Sequence, residues 1–425
     1  MERKFLLFVF IGILIIGSNE IFGQWVKTVL PNPPYGFGAL PGKVTVLTTH
    51  GANLYAGTLG GNIYFSADSG ATWAYIDSGL TTGDVNAIAV NDSEIFAGVY
   101  GSGISGSAWG GLFRSKNNGK TWTQIKGLTN NNVYSIVFKG TDIFVSTWGA
   151  GIFHSTDDGA TWNAVNNGIT NLYIRTLFVY NNYIYAGSQG DGVFFTNNNG
   201  SAWVQLNSGL TNLYIYQFAS KGTTLYMGND AGIFKSTNSG GTWVTSDSGL
   251  TSSFIRAFEV IDPKILVGTS GEGVFLSVDD GATWSPVDTG LTEPYIYGFA
   301  NLGSTVYAGS WDGEVWIRSI NEIIKTMKKT TQTQPVATNY ILDQNYPNPF
   351  NPSTNISFSI PQKSTVTLRV YDALGRVVST LIDGQIMQKN NYNVSFNADK
   401  LASGVYIYQL ITNNFVSTKK MILMK

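Results

Sequence analysis

Tyrosine, arginine and carboxylate side chains recur at regular positions in the middle of the chain. Seven similar strand-like segments place these residues at equivalent positions: Thr45, Asn86, Tyr134, Arg175, Tyr216, Arg256 and Tyr297. Loops that follow add aromatic and acidic residues: Tyr100, Trp109, Trp148 and Trp311, and Asp191, Asp230, Glu272 and Asp312. Aromatic rings stack on the apolar faces of sugars, and charged groups hydrogen-bond to sugar hydroxyls. Gathered round one opening, these side chains predict a sugar-binding site.

The candidate ligand-binding residues form one set: Tyr134, Trp148, Arg175, Tyr216, Arg256, Tyr297 and Trp311. Two long segments, 31–42 and 100–111, depart from the regular spacing and are expected on the same face, where extra loops commonly carry binding sites. An alternative interpretation stays open, in which the seven residues fill the opening and pair with one another.

Catalytic signals are few. Glycoside hydrolysis needs two carboxylates about 5 to 9.5 Å apart. Four acids are candidates, but nothing in the sequence selects a pair of them: Asp191, Asp230, Glu272 and Asp312. The chain has two histidines and no cysteine, so neither a His/Cys metal cluster nor a Ser-His-Asp triad can be assembled. We therefore expect no metal and no cofactor, and we favour a protein that is not an enzyme.

These residues belong to a repeat. Six segments share the pattern S-x-D-x-G-x-T-W or a close variant, at 66–73, 115–122, 155–162, 196–203, 236–243 and 277–284. After the first interval, their tryptophans recur every 40 or 41 residues. Each unit contains four short strand-like segments, which is the size of one propeller blade. A seventh unit stops without a fourth strand, and residues 24–27, with Trp25, match that strand. The sequence therefore predicts an all-β, seven-bladed propeller over 24–320, closed by its own N-terminus.

The repeated turn resembles the Asp-box of sialidase-like and photosystem II assembly factor-like propellers. This resemblance covers about 300 residues and implies the fold, but no activity, because Asp-boxes occur in hydrolases, lectins and receptors alike. The arginine motif of sialidases is absent. Three turns carry Asn117, Asn198 or Asn238 in place of Asp. An amide makes the turn hydrogen bond but cannot act as a general base, so we interpret the turns as structural. We expect the tryptophan of each turn, Trp162 among them, to be buried.

The two ends of the chain predict export. Residues 1–23 have a basic start and a short apolar core, as a signal peptide does, so no transmembrane anchor is expected after cleavage. The net charge of −1 excludes a basic surface for nucleic acid. Residues 321–339 form a polar linker, and 340–425 predict a small immunoglobulin-like β-sandwich.

The last module resembles the type A sorting domain of the type IX secretion system of Bacteroidetes. The matching motifs are NYPNPF (345–350), VYDALGR (370–376), LASGVY (401–406) and KKM (419–421). The resemblance implies recognition of 340–425 by the secretion machinery. It also implies a secreted or cell-surface protein, outside the outer membrane of a Gram-negative bacterium.

The sequence favours an exported, non-catalytic module that binds a carbohydrate or a surface protein at the looped propeller face. A glycoside hydrolase that uses carboxylates on that face is the alternative. A third interpretation is a purely structural spacer.

Overall fold

Each repeat folds into one antiparallel sheet. The computed structural model describes residues 24–32, 42–80, 83–101, 110–130, 132–325 and 339–425. Within these residues, the unit Met1–Met327 contains seven four-stranded sheets, and Lys328–Lys425 forms a second unit. The proposed signal peptide, Trp109 and most of the linker lie outside the described residues, as do large parts of the long segments 31–42 and 100–111.

In the described part of the chain, β1 (Val26–Thr28) comes first, and six complete blades follow. Blade 1 contains β2 (Val44–His50), β3 (Asn53–Thr58), β4 (Ile63–Ser66) and β5 (Ala74–Tyr75); blade 2 contains β6 (Asp84–Val90), β7 (Ile95–Tyr100), β8 (Gly111–Ser115) and β9 (Thr123–Ile125). Blade 3 contains β10 (Val133–Lys139), β11 (Asp142–Thr147), β12 (Gly151–Ser155) and β13 (Asn163–Ala164); blade 4 contains β14 (Ile174–Tyr180), β15 (Tyr183–Ser188), β16 (Val193–Thr196) and β17 (Val204–Gln205).

Blades 5 to 7 repeat this order. Blade 5 contains β18 (Ile215–Lys221), β19 (Thr224–Asn229), β20 (Gly232–Ser236) and β21 (Val244–Thr245); blade 6 contains β22 (Ile255–Ile261), β23 (Lys264–Thr269), β24 (Val274–Ser277) and β25 (Ser285–Pro286). Blade 7 contains β26 (Ile296–Leu302), β27 (Thr305–Ser310) and β28 (Val315–Ser319). The first strand of each blade packs against the first strands of both neighbours, and β2 packs against β26, so the seven blades close a ring.

The N-terminus supplies the missing strand of blade 7. β1 pairs antiparallel with β28, with Val26 opposite Ile317. Trp25 is 2% exposed, and its Nε1 donates a 2.7 Å hydrogen bond to the carbonyl oxygen of Val287 in blade 6. This is the closure predicted from the sequence, and it pairs the strand edge that β28 would otherwise leave open.

The repeated turns have one hydrogen-bond pattern. In the third turn, Asp157 Oδ1 accepts 2.8 Å bonds from the Thr161 amide and the Ser155 hydroxyl. Asn117 makes the equivalent bond, since its Oδ1 accepts from the Thr121 amide at 2.9 Å. An amide therefore replaces the carboxylate without a change of geometry.

Tryptophans of the turns join each blade to the one before it. Trp203 Nε1 donates to the carbonyl oxygen of Val165, and Trp243 Nε1 to that of Leu206. Burial was predicted for every one of these rings, but for Trp162 the prediction is wrong. Its ring is partly exposed, and its Nε1 bonds within its own turn, to the carbonyl oxygen of Gly159.

The cause is a deletion in blade 2. The segment from Trp122 to Gly127 is one residue shorter than the matching segments from Trp73 to Gly79 and from Trp203 to Gly209. Elsewhere the carbonyl oxygen just before that glycine accepts the backbone N–H of the next tryptophan, as Ser78 does for Trp122 at 3.0 Å. No such bond joins Trp162 to blade 2 in the part of the chain that the structure describes.

The predicted linker is not wholly unstructured. Residues 320–325 form a short helix, α1, which directly follows β28. Ile320 and Ile323 are 4% and 0% exposed, and both pack in the cluster that contains Trp25 and Trp316. Ile320 is the last residue of the predicted propeller, and the polar composition of 321–339 concealed the buried Ile323. The propeller core therefore extends past Ser319.

The second unit contains two sheets. Its strands are β29 (Ile341–Leu342), β30 (Ser353–Ile360), β31 (Ser364–Tyr371), β32 (Val377–Met387), β33 (Asn390–Asn397), β34 (Gly404–Ile411) and β35 (Val416–Leu423). One sheet has the order β29-β30-β33 and the other β32-β31-β34-β35. Alternate residues of β30, β31 and β34 enclose a core of their own. This agrees with the predicted β-sandwich. Among the residues described in both units, no helix is long and apolar enough to cross a membrane.

Candidate ligand-binding site

A β-bulge occurs at the same place in the first strand of every blade. In β14, Ile174 pairs with Ser188 and Thr176 with Gly187, so Arg175 between them has no partner in the ladder. The same shift leaves out the equivalent residue of the other six strands: Thr45, Asn86, Tyr134, Tyr216, Arg256 and Tyr297. A bulge redirects its side chain away from the regular pleat. The seven positions aligned from the sequence are thus the seven bulged residues.

The bulged residues meet in one cavity. All seven line a space of about 300 Å³ on the axis of the ring. Close packing of the blades needs glycine behind several bulges. At Gly187, for example, a Cβ atom would lie 2.6 Å from Cγ2 of Ile215 in the next blade. The cavity is therefore a product of the repeat, and its chemistry is set by the residue that each blade places at the bulge.

Two arginines share one tyrosine in this cavity. The guanidinium carbons of Arg175 and Arg256 lie 4.5 and 3.7 Å from the ring centroid of Tyr216, within the range of cation–π attraction. The Tyr216 hydroxyl donates a 2.8 Å hydrogen bond to Asp230 Oδ2, and Arg256 Nη2 lies 3.4 Å from Asp230 Oδ1. Blades 4, 5 and 6 are joined by this cluster.

Sequence reasoning missed a third cation, Lys43. Its Nζ lies 3.4 Å from the ring centroid of Tyr297 and 5.1 Å from that of Trp311. Burial, followed by repulsion from Arg175 and Arg256, lowers the pKa of Lys43 to about 8. Strand alternation was the signal that would have revealed Lys43, because it stands two residues before Thr45 and so faces the same side.

Aromatic rings extend the site outwards from the cavity. Tyr134 stacks on Trp148 with a centroid distance of 4.8 Å, and Trp148 meets the edge of Tyr173 at 5.2 Å. Trp311 is 53% exposed and lies 5.8 Å from Tyr297. Further exposed rings occupy the equivalent positions just before the bulged strands: Tyr173, Tyr214, Phe254 and Tyr295. We call these four residues the aromatic rim.

The four candidate carboxylates do not form one group. Asp191 accepts a hydrogen bond from the Thr170 hydroxyl at 2.5 Å, and Glu272 accepts one from Thr251 at 3.2 Å. Asp312 accepts one from Ser310. Asp230 alone among the four has a described contact with residues that line the cavity, through Tyr216 and Arg256.

Burial governs the protonation of the cavity side chains. It lowers the pKa of Arg175 and raises the pKa values of Tyr134 and Tyr216. Both tyrosines stay neutral at physiological pH, and Arg175 stays cationic because its ordinary pKa is so high. The cavity therefore combines cations with neutral hydrogen-bonding groups.

Comparison with known proteins identifies the second unit. Residues 344–424 match the family model of the secretion system C-terminal sorting domain. This match marks the protein for secretion. As the sequence predicts, the sorting domain implies export through the type IX secretion system, to the cell surface or the medium. No protein with a curated description is similar enough in sequence to count as a relative.

Solved structures resemble the propeller. PorZ, a surface component of the type IX secretion system of Porphyromonas gingivalis, is 16% identical with a TM-score of 0.53, and the match covers 92% of this chain and 61% of PorZ. YCF48 from Cyanidioschyzon merolae is 15% identical with a TM-score of 0.54, over 70% of this chain and 99% of YCF48. A GH74 xyloglucanase from Xanthomonas campestris is 15% identical with a TM-score of 0.54, over 79% and 59% of the two chains. At these identities the likeness shows the fold alone.

Proposed function

We propose that the propeller is a non-catalytic binding module, which the sorting domain delivers to the cell surface or the medium. Its ligand is a carbohydrate or a surface protein, bound over the axial cavity and the aromatic rim. The observation that carries this proposal is the convergence of three tyrosines, two arginines and Lys43 on one cavity. Rings and cations together suit a ligand with flat apolar faces and polar groups.

The carboxylates give less support to the alternative of a glycoside hydrolase. A hydrolase needs two acids facing one bond of the substrate. Asp191, Glu272 and Asp312 each accept a hydrogen bond from a nearby hydroxyl, and Asp230 is occupied by Tyr216 and Arg256. YCF48, a protein of similar fold, has been solved with a bound D1 peptide, so a fold of this kind can hold a ligand.

A glycan array, a screen against surface-protein extracts and a reducing-sugar release assay on the purified full-length protein test the proposal together. We expect a ligand in one of the screens and no sugar release. Trp311→Ala should weaken binding about tenfold, because it removes an exposed ring at the cavity. Tyr346→Ala is the matched control, since Tyr346 is an exposed ring of the sorting domain. Sugar release would favour the hydrolase, and no ligand in either screen would favour a structural spacer.

A further inference from the structure

We propose that Lys43, Arg175 and Arg256 form a subsite for the carboxylate of an acidic saccharide. This inference rests on the proposed binding function and names its ligand class. Among the described residues, those that line the cavity include these three cations and no aspartate or glutamate. A cavity with such an excess of positive charge attracts an anion, because charges in a partly buried site are weakly screened.

The acids near the cavity, Asp230 and Asp84, reduce this excess but do not cancel it, since two carboxylates face three cations. Asp230 lies 3.4 Å from Arg256, and Asp84 Oδ1 accepts a hydrogen bond from the Gly60 amide at 3.2 Å. Arg175 has no hydrogen bond and no ion pair to any residue that the structure describes; its contacts there are with the rings of Tyr134 and Tyr216. A guanidinium group has five N–H donors, and those of Arg175 are available for a planar, bidentate acceptor such as a carboxylate.

Mutual repulsion among the cations is a second sign of a ligand site. Arg175 and Arg256 both repel Lys43, and each lowers its pKa. Like charges that lie close together destabilise the free protein, and a bound anion removes this destabilisation.

Neutral groups in the cavity favour a saccharide over an acidic peptide. The side-chain amides of Asn86 and Gln217 line the cavity, and neither has a hydrogen bond within the described segments. Each amide offers donors and an acceptor to hydroxyl groups. Tyr134, Tyr216 and Tyr297 line the same cavity. An acidic peptide would use the cations but has fewer hydroxyls to satisfy the amides.

Isothermal titration of the full-length protein tests the proposal with tetragalacturonate, its methyl ester and a polyglutamate peptide. We expect tetragalacturonate to bind about tenfold or more tightly than the ester, which has the same rings without charge. Arg175→Gln should reduce that affinity about 10- to 100-fold and leave the affinity for the ester unchanged. Lys120→Gln, which removes an exposed charge from a repeat turn, is the control and should change neither. Thermal unfolding of Arg175→Gln should occur no earlier than in the wild type.

Other outcomes overturn the proposal in distinguishable ways. Equal affinity for the acid and the ester would remove the carboxylate subsite but keep the binding function. Binding of polyglutamate in place of tetragalacturonate would make the ligand a peptide. If the wild type binds none of the three probes and no member of the glycan array or the surface-protein extracts, the proposed function itself fails.

Discussion

Arg256 lies over the ring of Tyr216, with its guanidinium carbon 3.7 Å from the ring centroid. Tyr216 also contacts Arg175, so one neutral side chain holds two cations that would otherwise repel each other. The ring keeps both guanidinium groups in the cavity, where Arg256 also pairs with Asp230 and Arg175 has no ion pair among the described residues.

Replacing this ring should disorder both arginines. We expect Tyr216→Leu to weaken ligand affinity by about tenfold or more, since it removes two cation–π contacts of about 0.5 to 2 kcal/mol each. Tyr216→Phe keeps the ring and loses only the hydroxyl, with its bonds to Asp230 and Arg256, so its affinity should stay close to that of the wild type. Titration calorimetry on both variants checks this. Equal losses in both would assign the role to the hydroxyl.

Ligand affinity should depend on pH through Lys43. The groups around it that carry charge or titrate are Asp84, Arg175, Arg256 and Tyr297. With a pKa of about 8, Lys43 is mostly charged at pH 7 and loses its proton as the pH rises through 8. The affinity for an anionic ligand should therefore fall between pH 7 and 9. Lys43→Gln should bind more weakly at pH 7 and show a flatter profile. An unchanged profile in the variant would contradict this role.

Two tryptophans of the turns should differ in their effect on stability. Trp243 is 2% exposed, and its Nε1 joins blade 5 to blade 4 by donating to the Leu206 carbonyl oxygen, so Trp243→Ala should lower the free energy of unfolding by about 3 to 5 kcal/mol. Trp162 is partly exposed and bonds within its own turn, so Trp162→Ala should cost clearly less. Denaturant unfolding of the two variants measures the difference. Equal losses would mean that the deletion in blade 2 has no energetic consequence.

Glu259 should make the propeller less stable as the pH rises. Burial raises its pKa to about 7, and the 2.6 Å hydrogen bond from Asn301 Nδ2 opposes this only in part. The folded protein holds the proton more tightly than the unfolded chain, whose pKa is near 4.5. The stabilisation is therefore complete below pH 4.5 and is lost as the pH rises through 7. Subtracting the melting profile of Glu259→Gln from that of the wild type isolates this slope, and a difference independent of pH would refute it.

Removal of residues 340–425 should separate folding from export. The two units have separate cores, so the truncated propeller should unfold at the temperature of the intact protein. Without the sorting domain it should remain in the periplasm. Immunoblots of periplasm and medium, with a periplasmic marker to verify an intact outer membrane, measure this. Truncated protein in the medium would contradict the assignment.

The repeat made most of the fold predictable, because alignment of the units located the bulged residues and the missing strand of blade 7. Lys43 was harder to find, since it occupies a position that other blades fill with Asp84, Asn132 or aromatic residues. Trp162 and α1 were missed for other reasons. The loss of one residue in blade 2 removes a hydrogen-bond acceptor, and one buried isoleucine, Ile323, in a polar segment does not reveal a helix. No pattern in the sequence specifies which ligand the cavity binds.

The pairing of β1 with β28 closes the ring by joining the first and last strands of the propeller. The bond from Trp25 to Val287 joins residues 262 positions apart, so it is among the last contacts that a growing chain can make. Until then the last blade has three strands and an open edge. Loss of the few residues that form β1 would return the folded ring to this state. The unpaired edge of β28 would then be available to pair with a strand of another molecule. The exact N-terminus of the mature protein therefore decides whether blade 7 keeps its fourth strand.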